Sequence, residues 1–206
     1  MSDPLIYKMK VAVIKYNAGN VQSVLYALER LGIEAVLTDD LETIAKADKV
    51  IFPGQGEAST AMKYLKERNL DKLIPDLKQP FFGVCLGQQL LCEYSEENDT
   101  PCLGVFPVKV KRFIPENTFE YKVPHVGWND IFDIKGPLLE GLEAQSFVYY
   151  VHSYYCELSD FTIAKTHYIH DFAALMNKDN FYSMQAHPEK SGLVGERILS
   201  NFLQLK

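Results

Sequence analysis

Pro80-Phe81-Phe82-Gly83-Val84-Cys85-Leu86-Gly87-Gln88-Gln89-Leu90-Leu91 sets a short apolar run against a helical pattern, with a cysteine between two glycines at the join. Residues 80–84 predict a buried strand and 86–94 predict a helix. The glycines allow a sharp, strained turn without a Cβ clash, so the sulfur projects from the sheet edge. A helix start offers free N–H groups and a positive dipole end, both of which favour thiolate over thiol. This is the thiol form of a nucleophile elbow. A cysteine used only for packing needs none of it, so Cys85 is the candidate nucleophile.

Working back from this elbow, strand and helix patterns alternate. Residues 10–14 predict a strand, Asn17-Ala18-Gly19-Asn20 a turn, and 21–31 an amphipathic helix with Val21, Val24, Leu25, Leu28 and Leu31 on one face. Gly32 stands at the expected helix stop. Strands follow at 34–37 and 49–52, with a short helix at 41–45 between them. The turn Pro53-Gly54-Gln55-Gly56 leads to a helix over 57–67. Such alternation predicts an α/β fold, a mostly parallel sheet flanked by helices on both faces. Ligands of such sheets bind at the carboxyl ends of the strands, where the 17–20, 53–56 and Cys85 turns would lie. From 105 to 183 the pattern becomes short, aromatic and β-branched, which predicts added antiparallel strands and hairpins. A last helix is expected over 191–205. No repeat or linker interrupts the chain, so residues 1–206 read as a single domain.

Composition narrows the function classes. A chain of 206 residues with 47% hydrophobic and 23% charged residues is ordinary for a globular protein with a sizeable core. Its net charge of −6 and lack of a long basic run argue against nucleic-acid binding. Lys109-Val110-Lys111-Arg112 reads as a solvated strand face. Cys85, Cys92, Cys102 and Cys156 show neither metal-ligand spacing nor a disulfide framework. Cys92, Cys102 and Cys156 are read as inert packing residues. Residues 1–10 carry no apolar signal core, and no run is long enough for a membrane span, so a cytoplasmic location is expected.

A cysteine nucleophile needs a base, and the base needs an orienting group. Among five histidines, His187 stands out in Ala186-His187-Pro188-Glu189 after the strand-like 181–185. Residues two apart in an extended segment point the same way, so Glu189 can lie beside the His187 ring. Pro188 restricts the backbone between them. The oxyanion formed by thiolate attack needs donors. The N–H of Leu86 is one, and the glycine-rich turn at Gly54 can supply the other.

These parts resemble the class I (triad-type) glutamine amidotransferases, and the likeness runs along nearly the whole chain. Within that family the sequence is most similar to the glutaminase subunits of imidazole glycerol phosphate synthases. The segments that carry the resemblance are Tyr16-Asn17-Ala18-Gly19-Asn20, Pro53-Gly54-Gln55-Gly56, 83–91, Pro124-His125-Val126-Gly127-Trp128-Asn129, Val151-His152-Ser153-Tyr154-Tyr155 and 185–192. The resemblance implies glutamine hydrolysis by Cys85, His187 and Glu189, with no metal or organic cofactor. It implies that Gln88 and the backbone of His152, Ser153 and Tyr154 hold the amino-acid end of glutamine. It further implies transfer of ammonia to a (β/α)8-barrel synthase subunit that makes imidazole glycerol phosphate and AICAR in histidine biosynthesis.

Asn20 reads equally as a helix N-cap or as a contact with that partner. His125 and Trp128 read either as packing or as a segment near the active site and partner face. Two departures stand out: Gln55 where such relatives usually carry valine, and Ala186 where they often carry a bulkier aromatic. An alternative with the same triad is a paralogous glutaminase serving another acceptor, such as a nucleotide-sugar amidating enzyme.

Overall fold

The computed structural model describes residues 9–16, 21–117 and 119–206. Its first half alternates as the periodicity predicts. Strand β1 (Val11–Ile14) leads to helix α1 (Val21–Arg30), β2 (Ala35–Thr38) to α2 (Leu41–Ala45), and β3 (Lys49–Phe52) to α3 (Ala58–Glu67). Helix α4 (Leu70–Asp76) precedes β4 (Phe81–Val84), and α5 (Leu86–Leu91) follows that strand directly. The sequence pattern did not announce α4. Pro75 lies in its last turn, where proline reads as a stop, although Leu70 and Ile74 are spaced to be buried together.

Helix α5 is shorter than the expected 86–94. The chain becomes extended at Cys92 and forms β5 (Cys92–Ser95), which pairs with β6 (Thr100–Pro101) and β7 (Phe106–Arg112). Pairing with more distant residues overrides the local helical pattern. There follow β8 (His125–Ile131), β9 (Ser146–His152), β10 (Tyr154–Cys156), β11 (Thr162–Tyr168), β12 (His170–Lys178), β13 (Phe181–Met184) and α6 (Gly192–Gln204).

The principal sheet has the order β11-β12-β13-β4-β3-β1-β2. From β13 to β2 it is parallel, and β12 and β11 extend it antiparallel. Successive side chains take opposite faces. Ala12, Ile14, Val50, Phe52 and Phe81 join the core that includes α3, α4 and α5, while Val11, Val13, Ile51, Phe82 and Val84 join the core that includes α1 and α6. Every residue of β1, β3 and β4 is buried, which explains why they are apolar apart from Lys49 at the start of β3. A second sheet, β10-β7-β5-β6, and the antiparallel pair β8–β9 use the aromatic second half. Lys109 is exposed on β7 beside buried Val108 and Val110, the solvated face expected.

Strands β3, β4 and β13 are consecutive neighbours in the parallel sheet. Their carboxyl ends therefore deliver the 53–56 turn, Cys85 and the 185–189 segment to one place. Among the described residues no helix is long and apolar enough to cross a membrane.

Candidate active site

Cys85 sits at φ 53° and ψ −108°, in the left-handed half of backbone space that a side chain rarely adopts. The strain is carried by the cysteine itself, not by the flanking glycines as the sequence suggested. Gly83 and Gly87 are needed for space. A Cβ on Gly83 would stand 2.8 Å from the Gly87 carbonyl oxygen, and one on Gly87 would stand 2.0 Å from that of Phe52. The turn is held by the Cys85 N–H, which donates to the Met184 carbonyl at 2.8 Å.

His187 follows β13, and its backbone N–H donates to the Tyr149 carbonyl at 2.9 Å. The Ser191 hydroxyl donates to the His187 carbonyl at 2.6 Å and accepts from the Tyr149 N–H at 3.0 Å. The ring is thus braced from β9. Its Nδ1–H donates to Glu189 Oε1 at 2.8 Å, with both side chains buried. Glu189 reaches the ring from a 3-10 turn at Pro188–Lys190. The chain bends at Pro188, so the pair meets by a turn and not by the extended alternation expected. Burial pushes the imidazole down, but the neighbouring Cys85 sulfur and the Glu189 carboxylate outweigh it and hold His187 up at about 10. Its Nε2 is left to the Cys85 sulfur, with no other partner, and can carry the proton that leaves the thiol. A protonated imidazole beside a cysteine favours thiolate.

Of the expected oxyanion donors, the Leu86 N–H is not free. The Leu86 N–H donates to the Gly54 carbonyl at 3.4 Å, so the turn presents an oxygen where a donor was predicted. The Tyr16 hydroxyl donates to the Pro53 carbonyl at 2.6 Å and steadies that arrangement. Burial, and then the charge of Cys85, push the Tyr16 hydroxyl well above its usual pKa, so it stays a donor.

A pocket of about 380 Å³ opens over the sulfur, lined by Cys85, Leu86, Gln55, Gln89, Glu97 and the 151–154 segment among others. His152, Ser153 and Tyr154, which the resemblance assigns to substrate binding, are among the lining residues. The His152 ring is otherwise occupied: its Nδ1–H donates to the Tyr154 carbonyl at 2.7 Å, and burial lowers its pKa to about 3.

Gln88 requires correction. It is wholly buried, its amide donates to the Ala173 carbonyl at 3.1 Å, and it does not line the pocket. One residue along a helix turns the side chain by about 100°, so Gln89 faces the site instead. Glu97, after β5, is the carboxylate on the pocket wall, and burial pushes its pKa up. Sequence reasoning missed Gln89, Glu97 and Gln185. Alternation with His187 could have found Gln185, whereas nothing local marks Glu97. Asn20 lies outside the described residues.

The glutamine amidotransferase class-I family pattern matches residues 12–205. A Bacteroides thetaiotaomicron protein described as imidazole glycerol phosphate synthase subunit HisH is 59% identical over 197 residues, covering 96% of this chain and all of that one. The chain belongs to the class-I glutamine amidotransferases, in the HisH group. A HisH 2 subunit of Legionella pneumophila strain Paris is 44% identical to this amidotransferase, covering 95% of this chain and 98% of that one. Among solved structures, one described as a glutamine amidotransferase superposes with a TM-score of 0.73 at 23% identity, covering 94% of this chain and 97% of that one. The amidotransferase also shares its fold with PurLQS from Thermotoga maritima, with a TM-score of 0.67 at 16% identity over 96% of this chain and 98% of that one.

Proposed function

We propose that this enzyme hydrolyses glutamine through Cys85, His187 and Glu189 and hands the ammonia to a (β/α)8-barrel synthase subunit. That partner forms imidazole glycerol phosphate and AICAR in histidine biosynthesis, a reading supported by the HisH relatives. The observation that carries it is a strained cysteine beside a buried, proton-holding His187–Glu189 pair.

The thiol proton passes to His187 Nε2, and the sulfur attacks the side-chain amide carbon of glutamine. His187 then protonates the departing ammonia, leaving a glutamyl thioester. Water attacks the thioester as His187 takes its proton, and glutamate leaves as the thiol is restored. Glu189 stabilises the imidazolium throughout. In the pocket, Glu97 is the group that matches the substrate's ammonium, and the Ser153–Tyr154 backbone matches its carboxylate. Rotation of the Gly54 peptide would free the Leu86 N–H for the oxyanion. We read 1–206 as one amidotransferase domain, in keeping with the match over 12–205.

The outer face of β8–β9 suits a partner. Val126, Trp128 and Phe147 are each more than half exposed there, and Trp128 pairs across to Tyr149. Val151 belongs to the same ribbon and lines the pocket, so a protein docked on this face lies close to released ammonia. The deciding experiment is Cys85→Ala. It should abolish glutamine hydrolysis while the complex still makes product from added ammonium salt. Retained hydrolysis would refute the reading.

A further inference from the structure

We propose that Gln185 is a catalytic residue: its side-chain N–H holds the Cys85 sulfur and favours thiolate over thiol. This rests on the reading of Cys85 as nucleophile and adds a group that the triad does not include.

The sheet register brings the two together. Strands β4 and β13 pair in parallel with Val84 opposite Met184, so the next residues along, Cys85 and Gln185, leave the sheet side by side. Gln185 is completely buried, and its Nε2 lies 3.6 Å from Cys85 Sγ.

The orientation of that amide follows from its partners. Gln89 Nε2 donates to the Tyr154 carbonyl at 3.0 Å, and a carbonyl can only accept. The same nitrogen donates to Gln185 Oε1 at 3.0 Å, so the oxygen of Gln185 faces Gln89. Its NH2 group is left to face the sulfur. Reversing the Gln185 amide would set NH2 against NH2 and place an oxygen lone pair on the nucleophile.

The opposing interaction is weaker. Apart from the His187 ring, which takes the proton outright, the acceptor nearest a thiol is the Val151 carbonyl, 4.0 Å away. A hydrogen bond to an anion is about twice as strong as one between neutral groups. The amide therefore favours the ionised sulfur, with its proton on His187 Nε2. The other titratable groups around the sulfur are His187 with Glu189 behind it, Tyr16 after β1, Glu97 on the pocket wall, and His152 of β9, which burial keeps neutral. All of them remain when Gln185 is changed.

Iodoacetamide alkylation of Cys85, followed against pH in the full chain and located by peptide mass spectrometry, tests this. Mapping is required because Cys102 is also partly exposed. Gln185→Met removes the donor at similar size, and Gln185→Glu sets a carboxylate against the sulfur. Both should move the alkylation midpoint to higher pH, Glu further than Met. Below the unmutated midpoint, the rate in the Met variant should fall about tenfold, the equivalent of one unit. An unchanged midpoint in folded variants overturns the proposal.

If neither variant folds, the side-chain amide resonance of Gln185 in the unmutated protein decides. It should move through the same pH range as alkylation, and a stationary resonance overturns the proposal. Alkylation reads the sulfur alone, whereas hydrolysis by Cys85→Ala reads the catalytic assignment, so the two ideas can fail separately.

Discussion

His152 Nδ1–H donates to the Tyr154 carbonyl, which fixes its Nε2 as an acceptor for His125 Nδ1–H at 3.1 Å. His125 Nε2 in turn faces the Asn129 amide at 3.4 Å. Both rings are neutral in this chain of bonds, and His125 stacks on Tyr168 with centroids 3.9 Å apart. Burial lowers His152 to about 3 and His125 to about 4. In the unfolded chain each takes a proton near its ordinary value of about 6.5. The unfolded state therefore binds more protons below that value, so stability is intact above it and declines as pH falls toward 4.

The thermal midpoint should drop by about 3 °C or more between about pH 7.5 and about pH 5. The drop should be smaller in His125→Phe, which keeps an aromatic ring in the stack without a titrating nitrogen. An equal drop in the variant would show that the pair does not carry the effect. At this scale Cys85, His187 and Glu189 were legible because their residue types sit at sharp turns. The choice between Gln88 and Gln89 was not, because it depends on the rotational phase of a six-residue helix set by the elbow's strained start.

Helix α5 lies against the end of β3 so closely that only glycine fits at position 87. Gly87→Ala must push the helix or the Phe52 carbonyl aside, since the obstacle is backbone and not a flexible side chain. Overpacking of this kind costs about 1–3 kcal/mol. Denaturant unfolding should show a loss in that range, accompanied by slower Cys85 alkylation as the elbow shifts. A variant as stable as the parent would mean the contact relaxes at no cost. The parallel strands β1, β3 and β4 were legible as short, mostly apolar runs. The end of α5 was not, because Cys92–Ser95 is drawn into a sheet by β7, which begins at Phe106. Glu97 was hidden for the same reason: the β5–β6 pairing delivers it to the pocket wall.

For the molecule as a whole, the exposed apolar side chains Val126, Trp128 and Phe147 on one face of β8–β9 are a feature that its own core leaves unexplained. Trp128 is 56% exposed, so the packing reading of this lone tryptophan is withdrawn. Trp128→Ala should leave the stability of the isolated chain within about 0.5 kcal/mol, since the side chain supports no core. It should weaken the complex with the proposed barrel subunit by about tenfold or more, measured by calorimetric titration. Undiminished affinity would move the docking face elsewhere. The alternation of β8 and β9 could not announce this, because a large apolar residue looks the same in sequence whether its own fold or a second protein covers it.

Strand β13 enters between β12 and β4, joining residue 181 to residue 81 across a hundred positions of chain. On the ribosome, β4 and its cysteine emerge long before the strand that brings the imidazole. Until β13 arrives, the growing polypeptide exposes an open sheet edge at β4 and a sulfur that has no proton acceptor. In the finished sheet, one four-residue strand both covers that edge and carries in the imidazole proposed as the sulfur's base.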